Sequence, residues 1–114
     1  MMHSTGSLFY RNKYNNSFDE FLDGLDGLDV NKYLIILYWQ DRAERDKLKI
    51  VPYGKKRGIF STRAPVRPNP IGFCLVELLN MDRNKLTVKW LDALDGSPLL
   101  DIKPFWKLDL PAIL

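Results

Sequence analysis

Beyond position 31 the apolar residues fall into short runs that predict β-strands. The clearest run, KYLIILYW at 32–39, is almost continuously apolar, as expected of a strand that is buried on both faces. Shorter runs follow, separated by polar or proline-rich segments, at 48–52, 73–81, 85–91 and 99–106. Several short strands with frequent turns predict an all-β protein with one or two short helices, folded as a small closed or partly closed barrel.

The first thirty residues follow a different pattern. Residues 1–16 are polar and show no periodicity, which predicts an irregular segment. Ser17 begins a predicted short helix, because its hydroxyl and the carboxylate of Glu20 have the spacing of a capping box. Apolar residues then recur at helical spacing from Phe18 to Leu25. The glycines of the run LDGLDGLD are predicted to end this helix.

Length and composition narrow the class of protein. The chain has 114 residues, of which 46% are hydrophobic and 27% charged, as in an ordinary globular protein, and we interpret residues 1–114 as one domain. One cysteine excludes a disulfide within the chain, and one cysteine with one histidine is too few for the usual zinc site. No apolar run approaches the ~20 residues of a membrane-spanning helix. The sequence therefore predicts a reduced, cytoplasmic protein with neither metal nor membrane partner.

Basic residues are concentrated in one part of the chain. The net charge is +3, but residues 42–67 hold nine Lys or Arg and only two acidic residues, Glu44 and Asp46. Such a stretch can steer a polyanion such as RNA toward a site. A solvated loop that keeps a small protein soluble would have the same composition. Charge alone leaves both interpretations open.

The segment STRAPVRPNPIG at 61–72 is the first candidate site. Arg63 and Arg67 lie four residues apart in a loop stiffened by prolines, so their positions are set at little entropic cost. Paired guanidinium groups suit the recognition of carboxylate or phosphate. Asn69 offers an amide for base or ribose contacts, and Gly72 would let a ligand approach the backbone closely. The alternative is that the arginines pair with acidic neighbours and the prolines only shape a turn.

The segment LDALDGSPLLDIKP at 91–104 is the second candidate site. It places the carboxylates of Asp92, Asp95 and Asp101, with the ammonium of Lys103, around a tight turn. These groups could hold hydroxyls or an amine of a ligand, although turn formation alone also explains an Asp-Gly pair. No GxGxxG or GxxxxGK[ST] motif is present, which argues against a Rossmann-type or nucleoside triphosphate site and gives magnesium no nucleotide partner.

With both segments in view, the chain resembles the TsaA-like (VirR, TrmO) family of S-adenosylmethionine-dependent tRNA methyltransferases. GIFSTRAPVRPNPIG at 58–72 looks like the family's GVFATRxPxRPNPIG, and LDALDGSPLLDIKPF at 91–105 is similar to LDxxDGTPxLDIKPY. The resemblance implies a small non-Rossmann β-barrel that works as a homodimer, with the cofactor near the subunit interface. It also implies methyl transfer to the exocyclic amine of a threonylcarbamoyl-modified adenosine beside the tRNA anticodon.

The resemblance also implies roles for individual residues. Asp95 or Asp101 would accept the proton that the amine loses on methylation. Arg67, Asn69 and Lys103 belong to the motifs as candidates for contact with the RNA substrate. The residues expected to bind the cofactor are Trp39, Gln40, Arg63, Phe73, Asp95, Gly96, Ser97 and Pro98.

The chain departs from the family pattern at two places. Members of the family usually begin with further strands and a Pro-Arg-Gln motif, which the first sixteen residues here lack, so we expect a member shortened at its N-terminus. An aromatic-histidine pair commonly follows the first long strand, where this chain has Trp39-Gln40. An alternative hypothesis is therefore a non-catalytic barrel that binds RNA, a nucleotide or a protein partner. A methyl transfer to some other small molecule is a further alternative.

Overall fold

The fold is built almost entirely from β-strands. A computed structural model of the protein describes residues 5–9, 19–94 and 96–110. Its strands are β1 (Thr5–Phe9), β2 (Tyr33–Trp39), β3 (Lys49–Ile50), β4 (Arg57–Gly58), β5 (Ile71–Asp82), β6 (Lys85–Lys89) and β7 (Leu99–Pro104). Short 3-10 helices span Asp19–Leu25, Leu28–Val30, Pro52–Gly54, Ile59–Ser61 and Lys107–Asp109. The all-β prediction is confirmed.

Five strands form one antiparallel sheet in the order β1-β6-β5-β2-β7. Strands β3 and β4 form a separate hairpin. Because neighbouring strands are antiparallel, the sheet contains no Rossmann-type crossover, as predicted. Within the described part of the chain, the sheet ends at β1 and β7 and is not closed into a barrel.

The core lies against one face of the sheet. Along β2, Leu34, Ile36 and Tyr38 are buried and the residues between them are half-buried. The same face takes buried side chains from β5 and β6, and the 3-10 helices at 19–30 supply Leu25 and Leu28. The prediction that β2 is buried on both faces is wrong for the single chain. Its second side belongs to what we call the outer face, which comprises Tyr33, Ile35, Leu37 and Trp39 of β2 with Ile71, Phe73 and Leu75 of β5.

Two segments that the sequence predicted to be irregular contain strands. Thr5–Phe9, within the segment 1–16, pairs with β6 as β1. The pairing uses backbone groups and needs no apolar periodicity in the added strand, so the hydropathy pattern did not indicate it. Arg57–Gly58 pairs with β3 inside the predicted proline-rich loop. Ser17, the predicted helix cap, lies outside the described residues.

Candidate functional site

The two candidate segments meet at the end of β2. The backbone N–H of Trp39 donates to the carbonyl oxygen of Pro98 at 2.8 Å. The next N–H, that of Gln40, donates to the carbonyl oxygen of Pro70 at 2.8 Å. The loop at 61–72 and the turn at 95–98 are far apart in sequence, yet both are anchored to this one position. Trp39 and Gln40, predicted to bind the cofactor, therefore lie between the two motifs.

Hydrogen bonds within the loop at 61–70 fix its shape. The half-buried Arg67 donates from Nη1 to the carbonyl oxygens of Thr62, at 2.9 Å, and Ala64, at 3.0 Å. The hydroxyl of Thr62 donates to the carbonyl oxygen of Ile59 at 2.8 Å and accepts the N–H of Ala64 at 3.2 Å. These bonds give Arg67, which the sequence proposed for RNA contact, a bracing role inside the loop.

Arg63 extends from this loop over the outer face. Its guanidinium lies 5.1 Å from the centre of the Phe73 ring, within the range of a cation–π contact. Among the described residues no carboxylate pairs with Arg63 or Arg67, so the alternative of pairing with acidic neighbours finds no support there. Arg63 therefore holds a cation over an exposed aromatic ring, with its hydrogen-bond donors directed at no described acid.

Asp101 lies on the same face two strands away. The register places Phe73 opposite Leu37, and Leu37 opposite Asp101. Since neighbouring strands lie about 4.8 Å apart, Asp101 is roughly 10 Å from Phe73 across the sheet. One carboxylate oxygen of Asp101 accepts the N–H of Ile102 at 2.8 Å, and the other lies 2.9 Å from Nζ of Lys103. Arg63, Phe73, Asp101 and Lys103 thus share one surface.

A pocket of about 260 Å³ opens beside the end of β2. Gln40 and Ser97 line it, together with Tyr38, Pro65 and Asp92. A second, shallower depression of about 360 Å³ lies against β5 and is bordered by Phe73, Trp90 and again Asp92. Asp92 borders both spaces, although it was not among the cofactor-binding or catalytic residues predicted from the sequence.

The wall between the core and the pocket depends on Tyr38 and Gly72. These residues are opposite each other in the β2–β5 register, and the Tyr38 ring lies against the Gly72 backbone. The Tyr38 hydroxyl donates to the carbonyl oxygen of Asp92 at 3.3 Å. Burial, and then the neighbouring Cys74 and Asp92, raise the pKa of this hydroxyl, which keeps it a donor at neutral pH. The space above Gly72 thus holds a protein ring, and the prediction that a ligand approaches there is wrong.

Cys74 ties the segment that follows β6 to β5. Its thiol donates to the carbonyl oxygen of Trp90 at 3.2 Å, and its sulfur accepts the N–H of Asp92 at 3.3 Å. These two contacts hold the backbone of Asp92 at the border of both spaces. Burial is the main cause that raises the pKa of the Cys74 thiol, and the backbone N–H of Asp92 partly opposes it.

We expect Cys74 to react slowly with thiol reagents in the native protein. A raised pKa leaves less thiolate, which is the reactive form, and burial limits access. At pH 8 the native protein should release the chromophore of a disulfide reagent at least tenfold more slowly than the same protein in urea. Equal rates in the two conditions would contradict the buried position of this thiol.

The remaining predicted residues differ in how far the structure describes them. Asp95 lies outside the described residues. Gly96 has a left-handed φ of 84° and is exposed. Asn69 is also exposed, and its carbonyl oxygen accepts the N–H of Ile71 at 2.8 Å. Over residues 5–9, 19–94 and 96–110 there is no helix long and apolar enough to cross a membrane. The same residues contain no group of three His, Cys, Asp or Glu side chains that could hold a metal ion.

A family model matches most of the chain. It describes the tRNA-methyltransferase O N-terminal domain and covers residues 10–109. An S-adenosyl-L-methionine-binding protein of Archaeoglobus fulgidus is 57% identical over 90 residues, which are 77% of this chain and 65% of that protein. A probable S-adenosyl-L-methionine-binding protein of Methanothermobacter thermautotrophicus is 56% identical over 92 residues, 79% of this chain and 66% of its own length.

Solved structures show the same fold. TrmO from Pseudomonas aeruginosa superposes with a TM-score of 0.70 at 31% identity, over 93% of this chain and 44% of that one. A second crystal structure of TrmO gives a TM-score of 0.71 at 32% identity, over 95% of this chain and 45% of that one. The chain thus spans just under two thirds of these curated relatives and less than half of the solved chains.

Proposed function

Because the chain belongs to the tRNA-methyltransferase O N-terminal domain family, we propose that it binds S-adenosylmethionine and methylates tRNA in the cytoplasm. The acceptor is the exocyclic amine of a threonylcarbamoyl-modified adenosine beside the anticodon. The observation that carries the proposal is the meeting of the two motif segments at the end of β2, through the hydrogen bonds of Trp39 and Gln40.

The residues at this position fit the chemical groups of the cofactor. S-adenosylmethionine has a carboxylate, a positively charged sulfonium, ribose hydroxyls and a flat adenine ring. Arg63 offers a guanidinium for the carboxylate, and the exposed Phe73 ring offers a flat apolar surface. Asp92 provides a carboxylate at the border of both spaces, and Gln40 and Ser97 provide neutral hydrogen-bonding groups.

The reaction asks mainly for alignment and the exclusion of water. When bound, S-adenosylmethionine supplies a methyl group on a positively charged sulfur, which is already an activated donor. Tyr38, seated on Gly72, gives the pocket an apolar wall that excludes water and orients whatever lies against it. Each oxygen of Asp101 is held by one donor, so a second lone pair remains to accept the proton of the acceptor amine.

A second copy of the chain completes the proposed site. The pocket of about 260 Å³ is smaller than the roughly 300–1,000 Å³ of most small-molecule sites. Beside it, Ile71, Phe73 and Leu75 are exposed on the outer face by 46%, 47% and 41%. A contiguous apolar patch of this kind is typical of an interface, and a twofold pair is the commonest arrangement. We assign the outer face to a homodimer contact that also encloses the cofactor.

Calorimetric titration with S-adenosylmethionine tests the proposal. The wild-type protein should bind in the micromolar range, about −8 kcal/mol. Arg63→Ala should raise the Kd by about 10- to 100-fold, because a hydrogen bond to a charged group contributes about 1.5–3 kcal/mol. Lys85→Ala removes an exposed cation at the start of β6, far from the motifs, and should leave the Kd unchanged.

Methyl transfer is then measured with labelled cofactor and threonylcarbamoyl-modified tRNA. Asp101→Asn should reduce turnover while the Kd for the cofactor stays at the wild-type value. Cofactor binding without any transfer by the wild-type protein would favour the non-catalytic alternative. Absence of binding at millimolar cofactor would exclude the proposed site.

A further inference from the structure

The β3–β4 hairpin is an outlying basic element. Lys49 pairs with Gly58 and Ile50 with Arg57, and the N–H of Ile59 extends the ladder to the carbonyl oxygen of Leu48 at 3.0 Å. Residues 48–60 contain four cations, Lys49, Lys55, Lys56 and Arg57, and no acidic residue. All four are exposed, and none of the described carboxylates pairs with them. The hairpin therefore carries positive charge that the described part of the fold leaves uncompensated.

The tip of this hairpin presents an aromatic ring to solvent. Tyr53 has a left-handed backbone, with φ 53° and ψ 35°, and Gly54 follows with φ 79°. The N–H of Lys55 closes the turn by donating to the carbonyl oxygen of Pro52 at 3.1 Å. The relative exposure of Tyr53 is 106%, so its ring packs against nothing in the described fold.

Tyr53 is a poor choice for the turn itself. A bulky residue with positive φ is strained, and asparagine or glycine forms such turns more easily. The ring returns nothing to the fold in exchange for that strain, because it is fully exposed. Residues held in strained conformations cluster at ligand-binding positions. The ring is thus available to a ligand that binds at the tip.

A ring surrounded by cations matches the chemistry of unpaired RNA. Bases stack on exposed aromatic rings only when they are not already stacked inside a duplex, while Lys and Arg neutralise the flanking phosphates. An acidic peptide would satisfy the four cations but has no flat group for the ring. Phe60, which is 72% exposed, lies at the base of the hairpin with the guanidinium of Arg67 5.6 Å above its ring.

We propose that the hairpin at 48–60 grips single-stranded RNA, with a base stacked on Tyr53 and the neighbouring phosphates held by Lys55, Lys56 and Arg57. The inference rests on the proposed function, in which the substrate adenosine lies in an unpaired loop. It adds the element that holds this loop and the residue that stacks on it. The cofactor site at the end of β2 uses none of these residues.

Fluorescence anisotropy with a labelled anticodon stem-loop RNA tests the inference. Tyr53→Asn removes the ring and relieves the backbone strain, so the variant should fold as stably as the wild type or better. Its Kd for the RNA should rise about tenfold, in line with the loss of one stacked base. Tyr53→Phe keeps the ring and should bind as the wild type does. A fully paired RNA of the same length should bind more weakly than the stem-loop.

Salt dependence separates stacking from charge. The slope of log K against log salt should be unchanged in Tyr53→Asn, because no phosphate contact is lost. The double variant Lys55→Gln/Lys56→Gln should lower the slope by about 1.4, at about 0.7 per phosphate contact on single strands. Wild-type affinity in Tyr53→Asn would overturn the inference, as would equal binding of paired RNA or equally strong competition by polyglutamate.

Cofactor titration distinguishes this inference from the proposed function. Tyr53→Asn should bind S-adenosylmethionine as the wild-type protein does. Cofactor binding without RNA binding would overturn the role of the hairpin and leave the cofactor site standing. RNA binding that depends on Tyr53, in a protein that binds no cofactor, would support the hairpin and refute the methyltransferase.

Discussion

Gly72→Ala is expected to destabilise the protein by about 3 kcal/mol and to abolish cofactor binding under conditions where the wild type binds. A Cβ at this position would lie 2.6 Å from Cε1 of Tyr38 and closer still to two other ring carbons. The ring is 6% exposed and hydrogen-bonded through its hydroxyl, so it has no free direction in which to move. Overpacking of this kind costs about 1–3 kcal/mol and occasionally more. Urea unfolding followed by tryptophan fluorescence measures the change.

Two comparisons isolate the clash between the new methyl group and the ring. Gly58→Ala is the matched control, because its φ is −66° and nothing lies within 4 Å of the added Cβ, so stability should change by less than about 0.5 kcal/mol. In a Tyr38→Ala background, Gly72→Ala should become neutral or slightly stabilising, since the ring is gone and the unfolded chain is stiffened. An equal cost in both backgrounds would refute the assigned contact.

Leu75→Lys is expected to convert the proposed homodimer into a monomer. Leu75 lies on β5 in the outer face, opposite Ile35, and is 41% exposed in the single chain. In a twofold contact each substitution enters the interface twice, so two unpaired ammonium groups would be buried among apolar side chains. We expect the dimer Kd to rise at least 100-fold, measured by sedimentation equilibrium over a range of protein concentrations.

The control for this variant is Val30→Lys. Val30 is 85% exposed and ends the 3-10 helix Leu28–Val30, whose Leu28 packs on the core side of the sheet. The same charge added there should leave the oligomeric state unchanged. A wild-type protein that is monomeric at all concentrations would exclude the dimer, and a dimer unaffected by Leu75→Lys would exclude this face as its contact.

The strands of the main sheet could be predicted where burial governs the residue choice. The run at 32–39 and the alternation of Leu86 with Val88 both follow from the need to bury one side of a strand. Strands that are defined by their partners alone were not predicted. β1 and β4 pair through backbone groups, which leave no periodic mark on the sequence. The short helices are 3-10 segments, interrupted at the glycines of the run LDGLDGLD.

Motif residues of the site could be recognised individually, but their arrangement could not. The sequence identified Arg63, Gln40 and Ser97, and the structure brings Gln40 and Ser97 to one pocket and Arg63 to the outer face beside it. Tyr38 was missed because it appears in the sequence as one more apolar residue of a buried strand. Its contact with Gly72 depends on the β2–β5 register, which no local pattern encodes.

The junction at the end of β2 also bears on how the family can change its chemistry. Both hydrogen bonds that join the motifs there use the main chain of residues 39 and 40, and both acceptors are proline carbonyls. The frame is therefore indifferent to the side chains that these two residues carry. Trp39-Gln40 can replace an aromatic-histidine pair without loosening the scaffold. Evolution can thus exchange the groups that face the ligand, and with them the specificity, at a position where the architecture itself is held constant.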